Sequence, residues 1–158
     1  MLLQNAEVRP SELDGVTVRL GPHDVPLIDV ANDWADRVLK LKRDMAGNAP
    51  RHLVWTIDDL WASCSVRESI RRALTNKFDA TAKLSILEAA DDLFRSYTRQ
   101  MSSREVASIY ENDEPPLSDA WWWHRIPIEG PLSDEAARAM ARHRQPHSSR
   151  TAGSGNQM

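Results

Sequence analysis

The sequence predicts a mainly α-helical protein, with an antiparallel three-helix core, additional short helices and at most a minor β element. Three long segments carry apolar residues at helical spacing. Hydrophobic residues make up 41% of the chain and charged residues 27%, which are ordinary proportions for a globular protein. We therefore expect a single domain over residues 1–143. A disordered tail should follow over residues 144–158, where almost nothing apolar is available for burial.

The first 24 residues are predicted to be irregular or to hold one short strand. Residues that break helices are frequent there: Pro10, Gly15, Gly21 and Pro22. The alternation of apolar and polar residues from Val16 to Leu20 has the period of a half-buried strand. Its candidate partners are residues 53–55 and 121–126.

The first two core helices are predicted at residues 25–46 and 56–74. The apolar stripe of the first repeats every seven residues: Leu27, Trp34 and Leu41. Asp24 is placed to cap this helix. In the second helix, Thr56 and Asp59 have the spacing of a capping box, in which each satisfies a backbone N–H near the other.

The third core helix is predicted at residues 79–101, with Asp79 as its cap. Its apolar residues also repeat every seven positions: Ala80, Leu87, Phe94 and Met101. A short helix ending near Tyr110 should follow. A weak helix is predicted at residues 133–143, where the apolar face is thin and the charges suit the helix dipole.

Two charged residues fall on tracks of the helices that are otherwise apolar. Arg67 lies midway between Leu60 and Leu74 in the second helix, and Asp91 borders the apolar stripe of the third. Because burying a lone charge is costly, we expect a buried ion pair between Arg67 and Asp91. In the alternative, Asp91 pairs with Arg95 four residues later, and Arg67 extends its guanidinium into water.

Three consecutive tryptophans, Trp121, Trp122 and Trp123, make up half of the Trp content of the chain. They lie in a Trp-rich segment, residues 117–132, that is predicted to pack on the helix bundle as a cap. If this segment is extended, Trp121 and Trp123 share a face and are buried, whereas Trp122 faces outward. On this interpretation the run is structural, because each buried indole stabilises the fold by a few kcal/mol.

A second interpretation makes the Trp run a binding site for a protein partner. Trp and Arg are the residue types most enriched at binding hot spots, and Trp121, Trp122, Trp123, His124 and Arg125 bring both together. We expect Trp122 and Arg125 to make the contact. The acidic residues 111–114, with Asp119, would steer a basic partner toward it. In size, acidity and lack of catalytic motifs, the chain resembles bacterial immunity and antitoxin proteins, which implies a protein partner.

A third interpretation is a small-molecule site, in which the Trp rings bind a cation, a sugar or a base. Here His124, Arg125 and Arg67 would supply the polar groups.

Composition and motifs count against several other functions. The net charge of −3 and the pI of about 5.9 disfavour nucleic acid as a partner. No phosphate loop or nucleophile elbow is found, so we expect neither an enzyme nor a cofactor. His143 and His147 lack further ligands, so no metal site is expected. One cysteine, Cys64, and the absence of an apolar leader or membrane span predict a cytoplasmic protein.

Overall fold

The computed structural model describes residues 7–47, 50, 53–79, 82–110 and 119–143. Helices dominate this part of the chain: α1 (Leu27–Met45), α2 (Ile57–Lys77), α3 (Ser85–Tyr97), α4 (Ser103–Ile109) and α5 (Pro131–His143). Four short strands accompany them: β1 (Thr17–Leu20), β2 (His23–Pro26), β3 (Thr98–Gln100) and β4 (Arg125–Pro127). The predicted mainly α fold with a minor β element is confirmed.

Helix α1 is the centre of the bundle and runs antiparallel to α2. Arg37, in the middle of α1, bonds to Ser63, whereas Asp44 near the end of α1 accepts the backbone N–H of Trp55, just before α2 begins. The contacts therefore follow opposite orders along the two helices.

Helix α3 lies against α1 in the same direction. The ring of Trp34 meets that of Phe94, and further along α1 the ammonium of Lys42 lies 5.5 Å from the ring centre of Tyr97. Consecutive core helices are thus antiparallel. The predicted stripe residues Leu27, Trp34 and Leu41 are buried between the neighbouring helices, together with Val30, Ala31 and Val38.

Strand β1 pairs with β2 in a tight hairpin, and not with either partner predicted from the sequence. Gly21, with a φ of +58°, makes the turn. Residues 23–26 were not recognised as a strand because they lack alternation. Asp24 is part of this strand and does not cap α1. Helix α1 instead begins after Pro26, where Leu27 donates its N–H to the Val16 carbonyl.

The observed start of α2 matches the capping box predicted from the sequence. The Thr56 hydroxyl accepts the backbone N–H of Asp59, and the Asp59 carboxylate accepts the backbone N–H of Thr56. The helix extends three residues beyond the predicted end, to Lys77.

Helix α3 is shorter at both ends than the predicted range of 79–101. Before it begins, Lys83 pairs with Glu7 in a parallel bridge, so the chain is extended there and Asp79 lies outside the helix. At the other end, Thr98 starts strand β3, which pairs with β4. Long-range strand pairing therefore overrides the helical periodicity at both ends.

Strand β4 leads into α5, which begins at Pro131, two residues before the predicted start. Its Leu132 and Ala136 are buried in the common core. The predicted tail, residues 144–158, lies outside the described residues.

Candidate functional site

Arg67 on α2 and Asp91 on α3 form the buried ion pair that the sequence predicts. Arg67 Nε donates to Asp91 Oδ1 at 2.9 Å, and Nη2 donates to Oδ2 at 2.7 Å. The side chains are only 9% and 8% exposed. This two-point contact fixes the guanidinium and the carboxylate in one plane, so it sets the register of α2 against α3.

The Asp91 carboxylate also joins the pair to α1. Trp34 donates its indole N–H to Asp91 Oδ1 at 3.0 Å, and its ring packs against Phe94 with 5.3 Å between ring centres. From the sequence, Trp34 was predicted only as part of the apolar stripe. Its indole N–H, which needs an acceptor when buried, was the available signal for this contact.

Trp122 covers the ion pair from the C-terminal segment. Arg67 Cζ lies 4.3 Å from the centre of the Trp122 ring, a cation–π contact, and Trp122 is 3% exposed. The Cys64 thiol lies 3.7 Å from the Trp122 carbonyl oxygen, which ties the same residue to α2. We refer to Arg67, Asp91, Trp34 and Trp122 as the polar cluster.

The prediction that Trp122 is exposed while Trp121 and Trp123 are buried is wrong. Residues Trp121–His124 form a 3₁₀ turn, and Trp123 donates its N–H to the Ala120 carbonyl. A 3₁₀ helix has about 3 residues per turn, so neighbouring side chains diverge by roughly 120° and do not alternate. The middle tryptophan therefore faces the core, and its two neighbours are half-buried.

Trp121 and Trp123 are each held in place by their neighbours. The Trp121 ring meets the Trp122 ring edge-on at 5.6 Å, and the guanidinium of Arg95 lies 3.9 Å from its ring centre. The backbone carbonyl of Trp123 accepts the Tyr110 hydroxyl at 2.9 Å. Burial raises the pKa of that hydroxyl, so it remains protonated and able to donate.

Arg125 is half-buried and bonds to the end of α3. Its Nε donates to Thr98 Oγ1 at 2.7 Å, and its Nη2 donates to the carbonyls of Thr98 at 2.6 Å and Arg95 at 3.2 Å. A cation is favourable at this negative end of the helix dipole. Burial, and then the positive charge of Arg95, lower the pKa of Arg125. Beside it, the half-buried His124 accepts the Met101 N–H through its backbone carbonyl.

Arg95 has a role that sequence reasoning missed. The alternative pairing of Asp91 with Arg95 is wrong, because Arg95 stacks on Trp121 and pairs with the exposed Asp92 at 3.0 Å. Helical spacing gave no signal for this contact, since Trp121 arrives from a distant part of the sequence. We use the name Trp surface for the half-buried residues of this segment, Trp121, Trp123, His124 and Arg125, together with the exposed Arg95.

Three buried donors in this region have no hydrogen-bond partner among the described residues. They are Nη1 of Arg67 and the indole nitrogens of Trp122 and Trp123. Buried N–H groups are rarely left unpaired in folded proteins. An acceptor atom from a bound water or ligand would satisfy them.

Other functional groups in the described part of the chain are few. Cys64 is buried, and burial raises the pKa of its thiol, which disfavours the reactive thiolate. Within residues 7–47, 53–79, 82–110 and 119–143, no three His, Cys, Asp or Glu side chains are grouped to hold a metal ion. None of the helices in these ranges combines the length and apolar character needed to span a bilayer.

No family model matches this chain, and neither the curated proteins nor the solved structures include one that is significantly similar to it. The functional proposals therefore depend on the geometry of the Trp surface and the polar cluster.

Proposed function

We propose that this protein is a non-catalytic binding module that recognises a protein partner through the Trp surface. The observation that carries the proposal is the stacking of the Arg95 guanidinium on the half-buried Trp121 ring, with the Arg125 guanidinium bonded to the Arg95 carbonyl beside it. The half-buried Trp123 lies two positions further along the same turn. Such residues supply most of the binding energy at protein interfaces.

The fixed positions of these side chains support binding. The Trp121 ring is held between Phe94, Trp122 and Arg95, and Arg125 is held by three hydrogen bonds. Side chains that are already ordered lose little conformational entropy when a partner binds. The binding free energy is therefore more favourable than it would be for mobile side chains.

The partner and the compartment belong to the same proposal. An immunity-like or antitoxin-like role, in which this small protein blocks the activity of its partner, fits a surface that has aromatic anchors and lacks a nucleophile. Cys64 is a free, buried thiol, and this favours a reducing compartment such as the cytoplasm.

Partner capture followed by affinity measurement tests the proposal. Partners crosslinked to the full chain in its native host are identified, purified, and titrated against wild type and Trp121→Ala by calorimetry. We expect Trp121→Ala to weaken binding by about tenfold or more, corresponding to at least ~1.4 kcal/mol. Leu53→Ala is the matched control, since Leu53 is 55% exposed and lies outside the Trp surface.

A purely structural role for the Trp run makes the opposite prediction. In that case Trp121→Ala lowers the melting temperature but leaves the affinity for every identified partner unchanged. That result would overturn the proposed function.

Small-molecule binding is the second candidate, and the three unpaired donors favour it. Arg67 Nη1 and the indole N–H groups of Trp122 and Trp123 could donate to the oxygens of a ligand such as a carboxylate or a phosphate ester. Thermal unfolding with a panel of such compounds tests it, because a ligand that binds only the folded state raises the melting temperature, increasingly so as its concentration exceeds its Kd. Equal melting temperatures across the panel would reject this candidate.

A further inference from the structure

Two guanidinium groups converge beside Trp121. Arg95 Cζ lies 3.9 Å from the centre of the Trp121 ring, and Arg125 Nη2 donates to the backbone carbonyl of Arg95 at 3.2 Å. The two charges are close enough that Arg95 contributes to the lowered pKa of Arg125. Like charges are thus held together at one edge of the Trp surface.

The described residues neutralise this pair of charges only in part. Arg95 forms an ion pair with Asp92, but the Asp92 side chain is 78% exposed, so solvent screens the interaction. Arg125 donates only to uncharged oxygens of Thr98 and Arg95, and it has no carboxylate partner in the described part of the chain. The site therefore carries surplus positive charge although the whole chain has a net charge of −3.

The remaining donors suit a carboxylate. Nη1 of Arg125 makes no hydrogen bond within the described residues. Arg95 donates from one nitrogen, Nη1, to the exposed Asp92. A planar guanidinium with free N–H groups binds carboxylates in a two-point contact. The half-exposed Trp121 ring next to these donors offers apolar area to a neighbouring side chain.

We propose that the partner presents an acidic segment to the Trp surface, with an Asp or Glu carboxylate between Arg95 and Arg125 and an apolar side chain against Trp121. This inference rests on the proposed function and adds the chemistry of the partner. Nucleic acid and anionic lipid are disfavoured, because both depend on a broad excess of positive charge that this acidic chain lacks.

In the sequence, the acidic residues 111–114 and Asp119 predicted a basic partner. Residues 111–114 lie outside the described part of the chain. Asp119 is exposed and lies two positions before Trp121 in the sequence, so its neutralisation provides a charge control close to the Trp run.

Peptide display on the full chain tests the inference. Random 12-residue peptides are selected on wild type, and the strongest are titrated by fluorescence anisotropy against wild type, Arg95→Gln, Arg125→Gln and Asp119→Asn. We expect selected peptides to be enriched in Asp and Glu, and Arg95→Gln to weaken them about tenfold, as loss of a charge-assisted contact does. Asp119→Asn should bind them equally well or more tightly.

Arg95→Gln is the decisive variant, because Arg125→Gln also removes bonds that end α3 and can unfold the domain. Circular dichroism identifies that case, and Arg95→Gln still decides the outcome. Binding should also weaken as the salt concentration rises from 0.05 to 0.5 M. The Debye length shortens from roughly 14 to 4 Å over this range, so the attraction between the arginines and the acidic peptide is screened.

Contrary outcomes separate this inference from the proposed function. Neutral or basic peptides that require Trp121 would overturn the acidic segment and leave the proposed function standing. Peptides that bind Trp121→Ala as well as wild type would count against both. Failure to enrich any peptide would also overturn the inference of an acidic segment. The same holds if single-stranded RNA or phosphatidylserine vesicles bind more tightly than the peptides do, in a way that depends on Arg95.

Discussion

Replacing Asp91 with Asn removes the negative charge of the polar cluster while nearly preserving its shape. Asp91 accepts three hydrogen bonds, two from Arg67 and one from Trp34. An Asn keeps one carbonyl oxygen, but its NH₂ group faces a guanidinium N–H, so a donor meets a donor. Arg67 remains charged, with its side chain only 9% exposed.

The cost follows from leaving that charge without its partner. Removing one member of a buried ion pair destabilises a protein by about 3–5 kcal/mol. We expect a value near the lower end, about 3 kcal/mol, because two interactions of Arg67 survive. One is the hydrogen bond to the remaining oxygen, and the other is the cation–π contact with the Trp122 ring, which is worth about 2 kcal/mol or more when desolvated. For a chain of this size, 3 kcal/mol lowers the melting temperature by roughly 6–12 °C.

Urea unfolding followed by tryptophan fluorescence measures the change. Asp92→Asn is the matched control, since Asp92 is adjacent but 78% exposed, and it should cost less than about 1 kcal/mol. The double variant Arg67→Met with Asp91→Asn should recover most of the lost stability, because no unpaired charge remains. If Asp91→Asn lowers the free energy of unfolding no more than Asp92→Asn does, then Arg67 is not a desolvated charge that depends on Asp91, and the prediction is refuted.

Three further predictions follow from the caps and turns. Thr56→Ala should lower the free energy of unfolding by about 1 kcal/mol through loss of the α2 cap, whereas Thr75→Ala, exposed within the same helix, should be close to neutral; urea titration compares them. Gly130→Ala should destabilise by ~1–3 kcal/mol, because its φ is +86° and a Cβ would lie 3.1 Å from a backbone atom of α1. Gly21→Ala, with open space around it, should cost less; an equal loss would contradict the steric argument. A hydrogen bond from the Arg99 side chain, and then one from the backbone N–H of Ser102, lower the pKa of Glu105 from 4.5 to about 2. The advantage of wild type over Glu105→Gln should therefore be full above pH 4.5 and disappear as pH falls toward 2; a constant difference in unfolding free energy across this range would contradict it.

The sequence was sufficient for features that depend on local spacing. The stripe of α1 and the capping box at Thr56 involve residues a few positions apart, so helical geometry alone places them. The Arg67–Asp91 pair was also predictable, because each charge interrupts an apolar track and the energetic cost of burying it demands a partner.

Features that depend on tertiary pairing were not predictable in this way. The exposure of the Trp run was assigned from the alternation of a strand, but a turn of 3₁₀ helix precedes β4. The ends of α3 depend on pairing with residues distant in sequence, Glu7 at one end and β4 at the other. The helical periodicity and helix propensity of residues 79–101 contain no information about those partners.

The contact of Trp122 with Arg67 has a consequence for the order in which the chain folds. Cys64 and Trp122, which meet in the same region, are 58 residues apart in sequence, and Trp34 and Asp91 are 57 apart. During synthesis, α1, α2 and α3 emerge before Trp122 does, so we expect the ion pair to remain hydrated until the C-terminal segment closes over it. Long loop closures of this kind slow folding. The last step of folding should thus be the expulsion of water from the charge pair, and chains that end before Trp122 should not reach the native stability of the bundle.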